Sequence, residues 1–259
     1  MMKRFRKLIS ALLLLHLLLI KHAAIAQEVH IVHCLEGCPE GATETNDLVV
    51  SHLFALSSNN VTKFADWVAY LVTSQTIGTS DSLNRTWKAD PYLEDDETLE
   101  PNDYKSASAN LDVDRGHQAP LASFAGTVFW RETNYLSNIT PQRKPLNQGS
   151  WKNLEAVVRD YAYAAGQAYI LTGLLYDGNN SMVLPKADES HLVPTAYWKV
   201  VASRNGNLTA FIFDQGLERK ADYCDQIVTL REVELRSGLD LFPRRTDFPK
   251  GNLNSHLSC

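Results

Sequence analysis

Residues 112–155 hold the side chains in this chain best suited to do chemistry. The stretch opens with Asp112-Val113-Asp114-Arg115-Gly116-His117 and runs through Asn134-Tyr135-Leu136-Ser137-Asn138-Ile139-Thr140-Pro141-Gln142. It closes with Asn147-Gln148-Gly149-Ser150-Trp151-Lys152-Asn153-Leu154-Glu155. A cation, an imidazole, an amide and a carboxylate are what phosphodiester hydrolysis requires. Water must lose a proton as it attacks phosphorus, and His117 can take it because imidazole titrates near neutrality. The equatorial oxygens gain charge, and Arg115 offers them a planar fork of donors. The leaving oxygen needs a Lewis acid or a proton, which a hydrated Mg²⁺ supplies. That ion takes oxygen ligands and keeps most of its waters, so one or two protein ligands suffice. Asn147 and Glu155 carry such oxygens. Each residue alone has a blander reading: a structural histidine, an N-capping asparagine, a glutamate on a solvated helix face. The joint pattern points to chemistry.

The elements that must position these groups follow from periodicity. Residues 147–167 predict a helix, with Trp151, Leu154, Val158, Tyr161 and Ala165 on one apolar stripe. Glu155 and Arg159 fall off that stripe as an exposed i, i+4 pair. Asn147 and Glu155 are eight positions apart, which on a helix is about 80° of rotation and about 12 Å of rise. Both cannot easily ligate one ion directly, so the spacing fits Asn147 as the direct ligand and Glu155 acting through a metal-bound water. Asp114 to His117 ends a short strand, where Gly116 lets another backbone approach closely; Asp114 reads as a nearby salt bridge or turn bond. Asn134 to Ile139 reads as the second arm of the unit. Strands are predicted at 48–56, 64–73, 168–175, 192–202 and 208–214, with a turn at 57–60. Residues 74–105 read as loop, with Glu94 to Glu97 as a solvated acidic face. On composition alone, Arg85 in this loop is an ordinary surface arginine. Thr229 with Glu232 forms a capping-box signature before a helix at 229–237 that ends at Gly238. The sum is one α+β domain over 27–259, a mostly antiparallel sheet with helices on its faces.

Residues 1–26 read as an export signal: a basic start, an apolar run from Leu8 to Ile20, and Ala24-Ile25-Ala26 as the cleavage site. That apolar run is too short to span a bilayer comfortably. Removing the segment takes five of the 25 Lys and Arg and none of the 30 Asp and Glu. The remainder has 20 against 30, a formal net charge of −10. Coating DNA through many phosphate contacts calls for a basic surface. An enzyme that must release its product needs only a local positive cleft, so the balance favours a hydrolase over an architectural binder. Arg85, Arg115, Lys88, Arg143 and the metal would focus that field against an acidic background. The four cysteines, Cys34, Cys38, Cys224 and Cys259, suggest two disulfides in an exported protein, with three pairings open. His30 and His33 read as surface histidines. Of five N-x-[ST] sequences, at Asn60, Asn84, Asn138, Asn179 and Asn207, two adjoin the proposed site, and all read as chance.

The runs Asp114–Ser123, Asn134–Gln142 and Leu146–Glu155 resemble the DNA/RNA non-specific endonuclease family, whose members are ββα-metal, or His-Me finger, nucleases. Residues 62–70, Arg85-Thr86-Trp87-Lys88-Ala89-Asp90-Pro91 and Ala196-Tyr197-Trp198-Lys199-Val200 are similar as well, and the likeness is nearest to the secreted bacterial branch. The resemblance covers nearly all of 27–259 and weakens after Leu241. It implies Mg²⁺, with Mn²⁺ able to substitute, as the cofactor and DNA and RNA as substrates, cut to 5′-phosphates. His117 would be the general base. Arg85 and Arg115 would meet the scissile phosphate. Asn147 would hold the metal directly and Glu155 through water. The disulfides would pair Cys34–Cys38 and Cys224–Cys259. The product would be secreted or periplasmic, free of the membrane after signal cleavage, with a homodimer as an open option. The rival readings are a catalytically inactive exported nucleic-acid-binding module, an exported metal-dependent phosphodiesterase on small substrates, and a toxin. The toxin reading is disfavoured because no delivery domain accompanies the chain.

Overall fold

A computed structural model describes residues 30–178 and 182–259; the predicted export segment and Asn179 lie outside them. Ile31–Cys259 forms one unit. Its centre is a seven-stranded antiparallel sheet in the order β1-β2-β3-β6-β7-β8-β9. The strands are β1 (Asp47–Val50), β2 (Ala55–Ser58), β3 (Ala65–Thr73), β6 (Gln167–Leu175), β7 (Ala196–Ala202), β8 (Leu208–Asp214) and β9 (Ile227–Val228). A separate antiparallel pair is made by β4 (Val113–His117) and β5 (Ile139–Arg143).

The central strands are buried on both faces, so each face carries its own core. Period-2 alternation divides β7: Trp198, Val200 and Ala202 pack into one core, and Tyr197 and Val201 into the other. The second core also takes the α1 helix (Lys152–Ala165) through Leu154, Val158 and Ala162 at i, i+4 and i+8. The first takes α2 (Leu230–Ser237) through Val233. Thr229 caps α2 as expected, its side chain accepting from the Glu232 amide at 3.1 Å, and Gly238 ends it in the left-handed conformation.

Some boundaries differ from expectation. The apolar run 48–56 is not one strand: it folds back at residues 51–54, where the Ser51 hydroxyl accepts from the Leu53 and Phe54 amides. Apolar continuity hid that turn. The second arm of the motif begins at Ile139, after a 3₁₀ turn at Leu136–Asn138, rather than at Asn134. The helix predicted to start at Asn147 is preceded there by a π-helical turn, Asn147–Trp151, and reaches regular α geometry only at Lys152. The stripe is also shifted, since Ala162 is buried whereas Ala165 is exposed. His33, expected at the surface, is buried with its Nε2 3.2 Å from the Ser51 carbonyl. Both implied disulfides are present, Cys34–Cys38 and Cys224–Cys259. No helix among the described residues is long and apolar enough to cross a membrane.

Candidate active site

The β4–β5 pair and the entry to α1 position the candidate residues. Register sets Gly116 opposite Thr140 and His117 opposite Ile139. A Cβ on Gly116 would lie 2.6 Å from the Gln142 side chain, so what comes close there is a side chain rather than the backbone expected. Asn138 locks the same corner. Its side-chain oxygen accepts from the Ala119 amide at 2.8 Å, and its amide donates to the Ala119 and Thr133 carbonyls at 2.9 Å. A fully buried side chain so engaged agrees with a chance sequon.

His117 is half-buried beside Trp87, ring centroids 5.4 Å apart. Its Nε2 lies 3.2 Å from the Asn134 side-chain oxygen. With an acceptor facing it, Nε2 carries the proton and Nδ1 keeps the lone pair. Burial drives the imidazole down to about 4, the Asn134 bond opposes this, and the Arg85 charge adds to it. The ring is therefore neutral at physiological pH, the form a general base requires.

Asn147 leads the π turn, and its Nδ2 donates to Asp114 Oδ2 at 2.8 Å. Gln148 Nε2 donates to the same oxygen at 2.7 Å. Asp114, read from sequence as a local salt bridge or turn bond, thus consumes the Asn147 amide nitrogen and leaves its carbonyl oxygen as the available group, a ligand suited to a hard cation. The turn forms because Gly149 takes φ −108° and ψ −120°, and a Cβ there would sit 2.3 Å from the Arg219 carbonyl oxygen.

One turn further on, Glu155 is half-buried rather than exposed. Burial raises its carboxyl, while the Lys199 and Arg159 charges hold it down. Lys199 is completely buried on β7, its ammonium 4.2 Å from the Trp151 ring and donating to the Tyr70 hydroxyl at 3.2 Å. Burial lowers the ammonium to about 8, with Glu155 opposing.

His117, Asn147 and Glu155 share one cleft of about 760 Å³. Its wall includes His117, Asn147, Glu155, Arg85, Arg115 and Trp87, and also Asp114, Gln148, Lys152, Arg159 and Arg219. The expected exposed Glu155–Arg159 pair is corrected: both side chains line this cavity. Sequence periodicity missed this because the face flanking the apolar stripe turns to the cleft rather than to bulk water. Arg115 lies 5.1 Å from the Tyr104 ring and 5.5 Å from Trp87, and donates to the Pro101 carbonyl at 3.1 Å. Lys88 and Arg143 are not brought into the wall. Lys88 contributes backbone bonds to Asn134 and Leu136, and Arg143 faces Asp112 at 4.0 Å. Elsewhere, Arg236, Arg245, Lys144 and Lys250 each pair with a carboxylate. Among the described residues, Arg85, Lys152, Arg159 and Arg219 have no carboxylate within 4.0 Å. The cleft holds five cations against Asp81, Asp114 and Glu155, a positive site in an acidic protein.

A ββα unit presenting a neutral imidazole and an oriented amide oxygen to one cationic cleft defines a ββα-metal nuclease. The chain belongs to the DNA/RNA non-specific endonuclease family, which it matches over residues 36–248. That family is metal-dependent and acts on nucleic acids. The chain is 43% identical to a nuclease of Serratia marcescens over 86% of this chain and 85% of that one. It is 27% identical to nuclease C1 of Cunninghamella echinulata var. echinulata over 82% and 89% respectively. The crystal structure of the EndoG/EndoGI complex shares the fold, with a TM-score of 0.65 at 23% identity over 77% of this chain and 86% of that chain.

Proposed function

We propose that this chain is an exported, Mg²⁺-dependent endonuclease that hydrolyses DNA and RNA without base or sugar preference and leaves 5′-phosphates. Mn²⁺ would substitute. The carrying observation is that His117 and the Asn147 side chain, 30 residues apart in sequence, line the same cationic cleft.

The donor set fits a hydrated hard cation. Asn147 offers one oxygen with its amide nitrogen already tied to Asp114, and Glu155 offers a carboxylate farther along α1. Asn147 would hold the ion and Glu155 would hold one of its waters. Bound Mg²⁺ supplies Lewis acidity and an acidic water for the leaving oxygen. The remaining work belongs to side chains of this chain. His117 takes the proton of the attacking water at Nδ1, while Asn134 fixes the ring through Nε2. Arg85 and Arg115 offset the charge that grows on the phosphoryl oxygens. Because water and not a 2′-hydroxyl is the nucleophile, both sugars are accepted. Residues 1–26 would direct export and be removed, leaving 27–259 as a single domain, and two disulfides suit an oxidising compartment.

The test is cleavage of plasmid DNA and of RNA by the purified protein with Mg²⁺, with and without EDTA. Chelation should abolish turnover, and added Mg²⁺ should restore it. His117→Ala should cost roughly three decades in kcat with unchanged circular dichroism. Near-normal turnover by that variant, or full turnover in chelator, would refute the assignment.

A further inference from the structure

Arg219 enters the cleft from the segment between β8 and β9, seventy-one residues from the Gln148 it touches. Its backbone is held by packing. The Arg219 carbonyl, carbonyl carbon and Cα all lie within 3.0 Å of where a Cβ on Gly149 would stand. This segment is therefore wedged against the turn that carries Asn147. The guanidinium is exposed, and its Nη1 donates to Gln148 Oε1 at 2.9 Å. That partner is neutral, so the positive charge is left uncompensated. Lys152 stands on the same cleft as the first residue of α1, where the helix dipole disfavours a cation. Neither residue is paired with a carboxylate, in contrast to Arg236 and Arg245. Arg85 comes from the 74–105 loop and Arg115 from β4, so these four cations reach the cleft from four different segments.

We propose that Arg219 and Lys152 form a second phosphate subsite, which takes the phosphodiester flanking the one being cut. The proposal rests on the nuclease reading and adds a substrate-length preference to it. A guanidinium with free donors, carried on a backbone packed against the turn of Asn147, suits a phosphate oxygen. The bonds Arg219–Gln148, Gln148–Asp114 and Asn147–Asp114 run in series. A strand held at Arg219 is thereby placed in register with Asn147.

The experiment compares wild type, Arg219→Ala and Arg219→Lys on a dinucleotide with one phosphodiester and on a pentanucleotide. Arg219→Ala should raise KM for the pentanucleotide about tenfold, the effect of losing a charged hydrogen bond, with kcat little changed. The slope of log affinity against log salt should fall by about one. Arg219→Lys should recover most of the loss. Dinucleotide hydrolysis should change less than twofold. A pentanucleotide made neutral by methylphosphonate beside the scissile bond should be cut equally by wild type and Arg219→Ala. Equal losses on dinucleotide and pentanucleotide would make Arg219 a prop for Asn147 and overturn the subsite. So would an unchanged KM and salt slope. If wild type cleaved neither plasmid DNA nor RNA in Mg²⁺, the nuclease reading would fall and the subsite with it. Cleavage of both by wild type with an indifferent variant would sink the subsite alone.

Discussion

At His117, burial and the Arg85 charge push the imidazole to about 4 while Asn134 pulls the other way. The sign of the pH dependence follows. The folded value lies below the ordinary 6.5, so in the window between them the unfolded chain takes the proton first. Stability is then lost as pH falls from about 6.5 towards 4, and above that window the ring contributes no pH dependence. His117→Gln should flatten the fall in urea-unfolding free energy across that window. The His117 ring should titrate near 4 in a histidine-resolved NMR experiment on the metal-free protein. A midpoint near 6.5 would mean the ring is solvated and the site more open than described. The same residue shows what sequence reading supplies. Its type and neighbours made it the candidate base, but nothing local named Asn134 as its partner, because that contact is made across 17 residues by a 3₁₀ corner.

The element on which the site depends most is the π turn at Asn147–Trp151, and its tightest point is Gly149. A Cβ there would meet the Arg219 backbone, which has no side-chain freedom to give way. Gly149→Ala should cost about 1–3 kcal/mol, as overpacking does, and should displace Asn147 and the Arg219 segment together. Thermal unfolding would report the first effect, and weakened Mn²⁺ binding by electron paramagnetic resonance the second. Wild-type values in both would show that the turn adapts. Around this turn the sequence was partly legible. Periodicity located the central strands β3, β6 and β8 almost to their ends, and α1 apart from its first turn, because those apolar faces are dictated by burial. It misjudged the 48–56 run, where both arms of a hairpin are apolar and only Ser51 marks the fold-back. It also read Glu155 and Arg159 as solvent-facing, because a cleft lined with charge looks in sequence like an exposed helix face. Arg219 carried no local signal at all, and Lys199 stood only within a run similar to the family, since their neighbours are assembled only once β7 and β8 stand beside α1.

Across the whole molecule, ten excess negative charges in 27–259 coexist with a cleft that carries five cations. Repulsion from the outer surface suits release of cut strands, while the unpaired guanidinium groups focus the field where the phosphate must sit. That geometry depends on α1 being held at its far end as well as at Asn147. The C-terminal segment does this: Leu253 and Leu257 join the core beneath α1, and His256 lies 5.7 Å from the Tyr161 ring. The Tyr223 hydroxyl donates to the Leu257 carbonyl at 3.0 Å, and Cys224–Cys259 closes the segment onto the body of the protein. The two bridges should not be equal. Cys224–Cys259 spans 35 residues and Cys34–Cys38 only 4. By loop-closure entropy, the long bridge is worth about 4 kcal/mol and the short one about 2 kcal/mol. Replacing Cys224 and Cys259 by serine should therefore lower unfolding free energy roughly twice as much as replacing Cys34 and Cys38. Mg²⁺-dependent cleavage should survive in both variants wherever they remain folded, because neither bridge touches the cleft. Equal losses in urea titration would place the C-terminal anchor in its apolar contacts instead. Loss of cleavage from a variant still folded would mean the C-terminal segment sets the position of Glu155 through α1.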